Sequence, residues 1–273
     1  MVKPKIGLST LFCLGESFKK MTEHIVKAET TYIEIVDEGL HALNKKRVQI
    51  LNELATSYGL KYTVHAPFAD INIASPSKSL LNTALKRLKK SILLSGYLNS
   101  QVWVFHPGLQ TGISMFYPGK AWVRNLKTVR LLFKFSNNHS VEAAIENVPE
   151  PFPFIIKSVK DFKRFYSEVN ENIGLVFDIG HANINKEIDS FLSTFPDKIV
   201  HIHAHDNDGK GDQHLGIGYG NVNWGNIGYL LRRISYDKIV IVESVEHVKE
   251  SMHKLRELLA YRSSFPKAEF QFS

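Results

Sequence analysis

Histidine and aspartate recur at short spacing between His201 and Gly220, in the stretch HIHAHDNDGKGDQHLGIGYG: His201, His203, His205, Asp206, Asp208, Asp212 and His214. Imidazole nitrogen and carboxylate oxygen together suit divalent transition metals, zinc above all. Five glycines in the same stretch let a loop turn tightly around an ion. The competing reading is a solvated polar loop, and the rest of the chain bears on the choice.

Such residues need a scaffold, and the chain supplies a repeating one. The runs Lys5–Leu8, Tyr32–Val36, Lys61–His65, Gln101–His106, Val141–Glu146, Gly174–Asp178, Lys198–His203 and Lys238–Glu243 read as strands. The stretches Phe18–Thr30, Lys45–Tyr58, Ser77–Ser95, Gly119–Ser136, Ile156–Val169, Lys186–Phe195, Trp224–Ile234 and Val248–Arg262 read as helices between and after them. Parallel strands need crossover helices, so this alternation argues for a parallel α/β sheet. Eight such units close a single-domain (β/α)8 TIM barrel. The barrel is expected over residues 1–265, with a C-terminal tail over 266–273.

His65, His106, Glu146, Asp178, His203 and Glu243 each fall on the last residue of an expected strand, the third to the eighth in turn. In a barrel of this kind that end carries the chemistry. A single His or Glu at a strand end is ordinarily a hydrogen-bonded polar cap. Six at successive ends would converge in one dry pocket, where acids and imidazoles need a cation to offset the acids' repulsion.

At 273 residues one barrel of about 250 residues is an ordinary solution. Hydrophobic residues at 44% and charged residues at 22% permit a normal core. The net charge of +7 permits contact with phosphate or nucleic acid without requiring it. The basic clusters Lys45-Lys46-Arg47 and Lys86-Arg87-Leu88-Lys89-Lys90 fall on expected outer helices and read as solvated faces. The single cysteine, Cys13, excludes an internal disulfide and a cysteine-ligated zinc site, and reads as a buried small apolar group. No signal-peptide pattern and no apolar run of about 20 residues stands out, so a soluble cytoplasmic protein with no membrane contact and no obligate protein partner is expected.

The motifs YTVHAPF, INIASP, VFHPG, IENVP, FDIGH, HAHD with DQHLGIG, and IVES resemble the xylose isomerase-like TIM barrels. More narrowly they resemble apurinic/apyrimidinic endonuclease family 2, the endonuclease IV type. That resemblance implies a zinc-dependent phosphodiester hydrolase acting on abasic DNA, with one to three Zn2+ ions, or Mn2+ or Mg2+ in their place. It implies that His65 and His106 hold one ion together with a bridging Glu146. Glu146, Asp178, His203 and Glu243 would hold a second, and His181, Asp212 and His214 a third. Phe68 matches an aromatic position that meets DNA in that family. The segment Asp37-Glu38-Gly39-Leu40-His41 departs from it, lacking the arginine- and glutamine-containing insertion that presses into DNA.

The sugar isomerases and epimerases of the same superfamily are the alternative relatives. They resemble this chain in the set Glu146, Asp178, His203 and Glu243, which would hold a single metal, with Glu146 and Glu243 relaying a proton at a sugar carbon. In that reading the substrate is a small sugar or sugar phosphate, gripped by His181 and Lys210. Asn147 meets substrate or caps its loop. His201 and His205 share strand parity with His203, and one of them stands in as ligand if the register is off by two; otherwise His201 reads as a barrel-interior residue, His205 as a partner of a ligand, and Glu34 as a buried structural acid near the pocket floor in preference to a catalytic one. Asp206 and Asp208 either hold histidine tautomers or are solvated loop acids.

Overall fold

The structure is a computed structural model and describes residues 3–260. Eight parallel strands, β1 (Lys5–Ser9), β2 (Tyr32–Val36), β3 (Lys61–His65), β4 (Trp103–Phe105), β5 (Ala143–Glu146), β6 (Gly174–Asp178), β7 (Ile199–Ala204) and β8 (Ile239–Val242), close into a barrel in sequence order. β8 pairs back onto β1. Around them run α1 (Phe18–Lys27), α2 (Lys45–Tyr58), α3 (Lys78–Tyr97), α4 (Lys120–Asn137), α5 (Val159–Glu168), α6 (Ile179–Ile184), α7 (Ile188–Thr194), α8 (Trp224–Arg233) and α9 (Val248–Ala260). None of the described helices is long and apolar enough to cross a membrane.

Strands covered on both faces should be apolar throughout. Ile239–Val242 of β8, IVIV, is buried at every position. Helix starts are set by short polar side chains: Ser17, Asn44 and Ser77 each accept a backbone N–H from the first turn of α1, α2 and α3. Ser158 and Asp161 form a reciprocal capping box on α5.

Side chains alternate across each strand, and this alternation divides the core. Ile33, Ile35, Tyr62, Trp103, Phe105, Phe177 and Ile202 pack in the large cluster that joins the barrel to its helices. Val102, Val104, Ala144 and Val176 form a separate small cluster. They share strand parity with Glu34, Thr63, His65, His201 and His203: Glu34 stands beside Thr63, His65 beside Val104, Val176 beside His201 and Asp178 beside His203. The barrel interior is therefore partly polar, with the polar groups gathered toward the C-terminal ends of the strands.

The expected alternation is present, with differences at element ends. β4 and β8 each stop one residue short, so His106 and Glu243 stand just past the strands they were expected to end. β7 runs one residue past His203. α1 ends at Lys27 rather than Thr30, because the Thr30 hydroxyl donates to the Ile6 carbonyl at 2.6 Å and draws the chain back to the barrel. The short helix α6, Ile179–Ile184, has no counterpart among the expected elements. The expected tail over 266–273 lies outside the described residues.

Candidate metal centre

His65 ends β3, His106 follows β4, Glu146 ends β5, Asp178 ends β6, His203 lies near the end of β7 and Glu243 follows β8. All open onto one cleft or lie directly beneath it. The cleft, of about 570 Å3, is lined by His65, His106, Glu146, His181, Asp212, His214 and Glu243 among polar groups, with Phe68, Phe152 and Phe154 on its apolar wall.

The polar groups fall into sets that meet. His65 Nε2 and His106 Nε2 lie 3.4 and 3.2 Å from Glu146 Oε2. His203 Nδ1 faces three carboxylates: Glu146 Oε1 at 3.0 Å, Glu243 Oε2 at 3.3 Å and Asp178 Oδ2 at 3.8 Å. His181 Nε2 and His214 Nε2 each stand 3.3 Å from an Asp212 oxygen. In each set the donor atoms lie within 4.8 Å of one another, close enough to share an ion. The structure thus brings together all nine residues named as metal ligands from sequence.

The hydrogen bonds behind these histidines test whether a metal fits. His65 Nδ1 meets the Ala66 carbonyl at 2.9 Å, His181 Nδ1 the Asn147 carbonyl at 2.8 Å and His214 Nδ1 the Glu243 carbonyl at 3.0 Å. A carbonyl only accepts, so each Nδ1 carries the proton. In the neutral ring Nε2 is then a bare lone pair, and each Nε2 is aimed at a carboxylate oxygen. Glu146 Oε2 and Asp178 Oδ2 are buried and accept no hydrogen bond. Lone pairs facing lone pairs in a dry site require a cation between them, either a proton or a metal ion. The donor set fits a divalent metal.

Without metal, protons take that place. Burial works to lower the His181 imidazole, but Asp178, Asp212 and Glu146 outweigh it and push it up to about 10. His214 is opposed by burial and raised by Asp212 and Glu243 to about 9. Burial favours a neutral Glu146 carboxyl, yet the His203 charge and the facing imidazoles of His106, His203 and His65 hold it well below the carboxylate range. His106 differs: burial dominates and lowers it, leaving a neutral ring beside Glu146.

Supporting residues sort differently from expectation. Asn147, expected to meet substrate or cap its loop, is wholly buried. Its amide accepts from the Asp178 N–H at 2.7 Å and donates to the Asp178 carbonyl at 3.0 Å, so it fixes the end of β6 instead. Lys210 is exposed on the loop after β7 and is not among the residues lining the cleft. Phe68 does line it, edge-on to His65 at 5.4 Å. Asp206 is a buried organiser of its loop, accepting from Asn207, Gly218 and Val222 N–H groups and from the Trp224 indole. Asp208 is a solvent-side acid that accepts from the Lys210 and Gly211 N–H groups. The tautomer-setting partners of three ligands are backbone carbonyls, which no reading of side-chain types could reveal.

The family model described as xylose isomerase-like TIM barrel matches residues 23–261. An uncharacterized protein of Methanocaldococcus jannaschii is 30% identical over 259 residues, 93% of this chain and 88% of the relative. A probable endonuclease 4 of Staphylococcus aureus is 25% identical over 245 residues, 81% of this chain and 80% of the relative. Among solved structures, a D-tagatose 3-epimerase-like protein superposes with a TM-score of 0.87 at 30% identity, covering 93% of this chain and 97% of the other.

Proposed function

The chain belongs to the xylose isomerase-like TIM barrel family, and from that premise we propose that it is a metal-dependent isomerase or epimerase of a small, uncharged sugar. The observation that carries this reading is the cleft. Two carboxylates, Glu146 and Glu243, lie within 3.3 Å of His203 Nδ1 at its floor, and no Lys or Arg is among the described residues lining it. A nucleic-acid backbone or a sugar phosphate calls for cationic partners. A neutral polyol needs hydrogen-bonding groups and an apolar wall, which His65, His106, Gln213 and the phenylalanines offer. The likeness to a D-tagatose 3-epimerase-like protein supports the same class.

A divalent ion held by Glu146, Asp178, His203 and Glu243 would polarise sugar oxygens and acidify the C–H between them. That set has one nitrogen and three carboxylates, which suits Mn2+ or Mg2+, whereas the histidine-rich sets suit Zn2+. Glu146, held ionised, serves as the base that takes the carbon-bound proton. Glu243, steadied by the Ser9 hydroxyl at 3.4 Å, serves as the second proton carrier. Metal-loaded protein incubated with free ketoses in D2O is expected to exchange deuterium into the carbon beside the carbonyl and to form epimers or aldoses. Absence of exchange across a broad sugar panel, with nicking of an abasic duplex, would replace this reading.

The second reading is a phosphodiester hydrolase acting on abasic DNA. It is favoured by the two further sets, His65–His106–Glu146 and His181–Asp212–His214. A bridging Glu146 would let two ions clamp an in-line displacement at phosphorus. Against it stands the short connection after β2, with a single helical turn at Gly39–His41, together with the absence of Lys and Arg from the described residues lining the cleft.

A further inference from the structure

We propose that His205 is a fourth protein ligand beside His181, Asp212 and His214, making this set a closed metal site that fastens the loop after β7 to the barrel rather than meeting substrate. The proposal stands apart from the sugar reading and uses no turnover measurement.

The four donor atoms lie within 4.8 Å of one another. His205 follows β7 and shares strand parity with His201 and His203, so its ring turns into the site. It is fully buried, and its Nε2 makes no hydrogen bond. Asp178 Oδ1 is 3.2 Å from that nitrogen and Asp212 Oδ1 3.8 Å. Asp178 Oδ1 already accepts the His181 N–H at 2.6 Å. His205 Nδ1 faces the Asp206 carbonyl at 3.4 Å, which leaves Nε2 as the free end. An imidazole nitrogen buried beside two acids without a hydrogen bond is costly unless an ion completes it.

The ring is also closely packed. It stacks on His214 with centroids 3.9 Å apart and planes 18° apart, and meets His181 edge-on at 5.5 Å. Gly180 makes this possible, since a Cβ there would stand 2.1 Å from His205 Cε1. A tetrahedral ion with four protein ligands has no open position, which is the mark of a structural site. The ligands come from α6, from the residue after β7 and from the loop beyond it, so one ion would tie three segments together. His65, His106 and Glu146 offer only three groups and would leave a position on an ion open.

Titration of the metal-free full chain with Co2+ tests the proposal, following visible absorption and bound cobalt in wild type and His205→Asn. Wild type is expected to hold one equivalent whose intense tetrahedral Co2+ bands are unmoved by added azide, because four protein ligands leave no exchangeable position, whereas in His205→Asn azide shifts the bands of that equivalent. A residue that only orients a ligand would leave the response to azide the same in both proteins while weakening binding by about 10–100-fold, and that result overturns the proposal. So does a wild-type protein in which every equivalent gives only the weak absorption of higher coordination, an outcome that decides the matter even if the variant fails to fold.

Discussion

Glu34 is a carboxylate with no solvent, placed inside the barrel between imidazoles. His201 Nε2 is 2.9 Å and His203 Nε2 3.0 Å from its oxygens, and the Thr63 hydroxyl donates at 3.0 Å. Burial works to raise this acid, but the His203 charge and hydrogen bonds from both histidines hold it below the carboxylate range. It also faces the back of His203, whose Nδ1 meets the three other acids, so it helps decide which nitrogen is presented upward. Glu34→Gln keeps the volume and removes the charge, leaving two buried imidazoles without their counter-charge. The expected loss is about 3–5 kcal/mol, the usual cost of breaking a buried pair, read as a lower thermal midpoint together with weaker metal uptake. An unchanged midpoint would show that the pair does not hold the barrel interior. Glu146→Gln and Glu243→Gln are each expected to slow sugar interconversion by about 10²–10⁴-fold, the range for a lost acid or base. Glu146→Gln should also lower metal content more than Glu243→Gln does, because Glu146 alone reaches both the His65–His106 pair and His203.

Between elements, the loop after β7 and the short helix α6 depend on one another. Asp178 is at once the last residue of β6, the cap of α6 and a member of the metal set. Asp206 holds the other side, gathering three backbone N–H groups and the Trp224 indole so that Asp212 and His214 return toward His181. Asp206→Ala should therefore weaken metal binding at His181, Asp212 and His214 by about 10–100-fold while His65, His106 and Glu146 keep their arrangement; equal loss at both sets by metal titration would contradict this. The strands were legible because runs such as YIEIV and KIVIV carry strand composition between turn signals, and their final residues followed from that register. His106 and Glu243 are one residue outside their strands, yet line the cleft as expected; the Glu243 N–H still bonds the Ala204 carbonyl of β7 at 3.0 Å. The helix α6 is hidden because Ile179–Ile184 carries a glycine and, at six residues, spans fewer than two turns, too little for a helical period. Gly180 is explained only by the His205 ring packed on it, a contact between residues 25 apart that no local pattern encodes. Chemical type alone does not place Lys210 and Asn147; exposure and the Asp178 backbone, respectively, decide where they stand.

At the scale of the whole molecule, the site couples folding, protons and metal. In the metal-free protein His181 and His214 are raised from 6.5 to about 10 and about 9. A raised imidazole stabilises the fold fully below its unfolded value, and that contribution is lost as pH climbs through the folded one. Asp212 is lowered from 3.8, so its contribution is present above that value and fades as pH falls. Metal-free protein is therefore expected to be most stable between about 3.8 and 6.5 as far as these groups decide it, and to weaken toward about 10. A bound ion replaces those protons, so its affinity must rise over the range in which the protons leave. The gap in thermal midpoint between metal-loaded and chelator-treated protein should widen steadily from 6.5 upward, with fewer protons released per ion bound as pH approaches 10. A gap independent of pH, or one that narrows, would mean that ions and protons do not compete for these imidazoles, and that the facing lone pairs are neutralised in some other way.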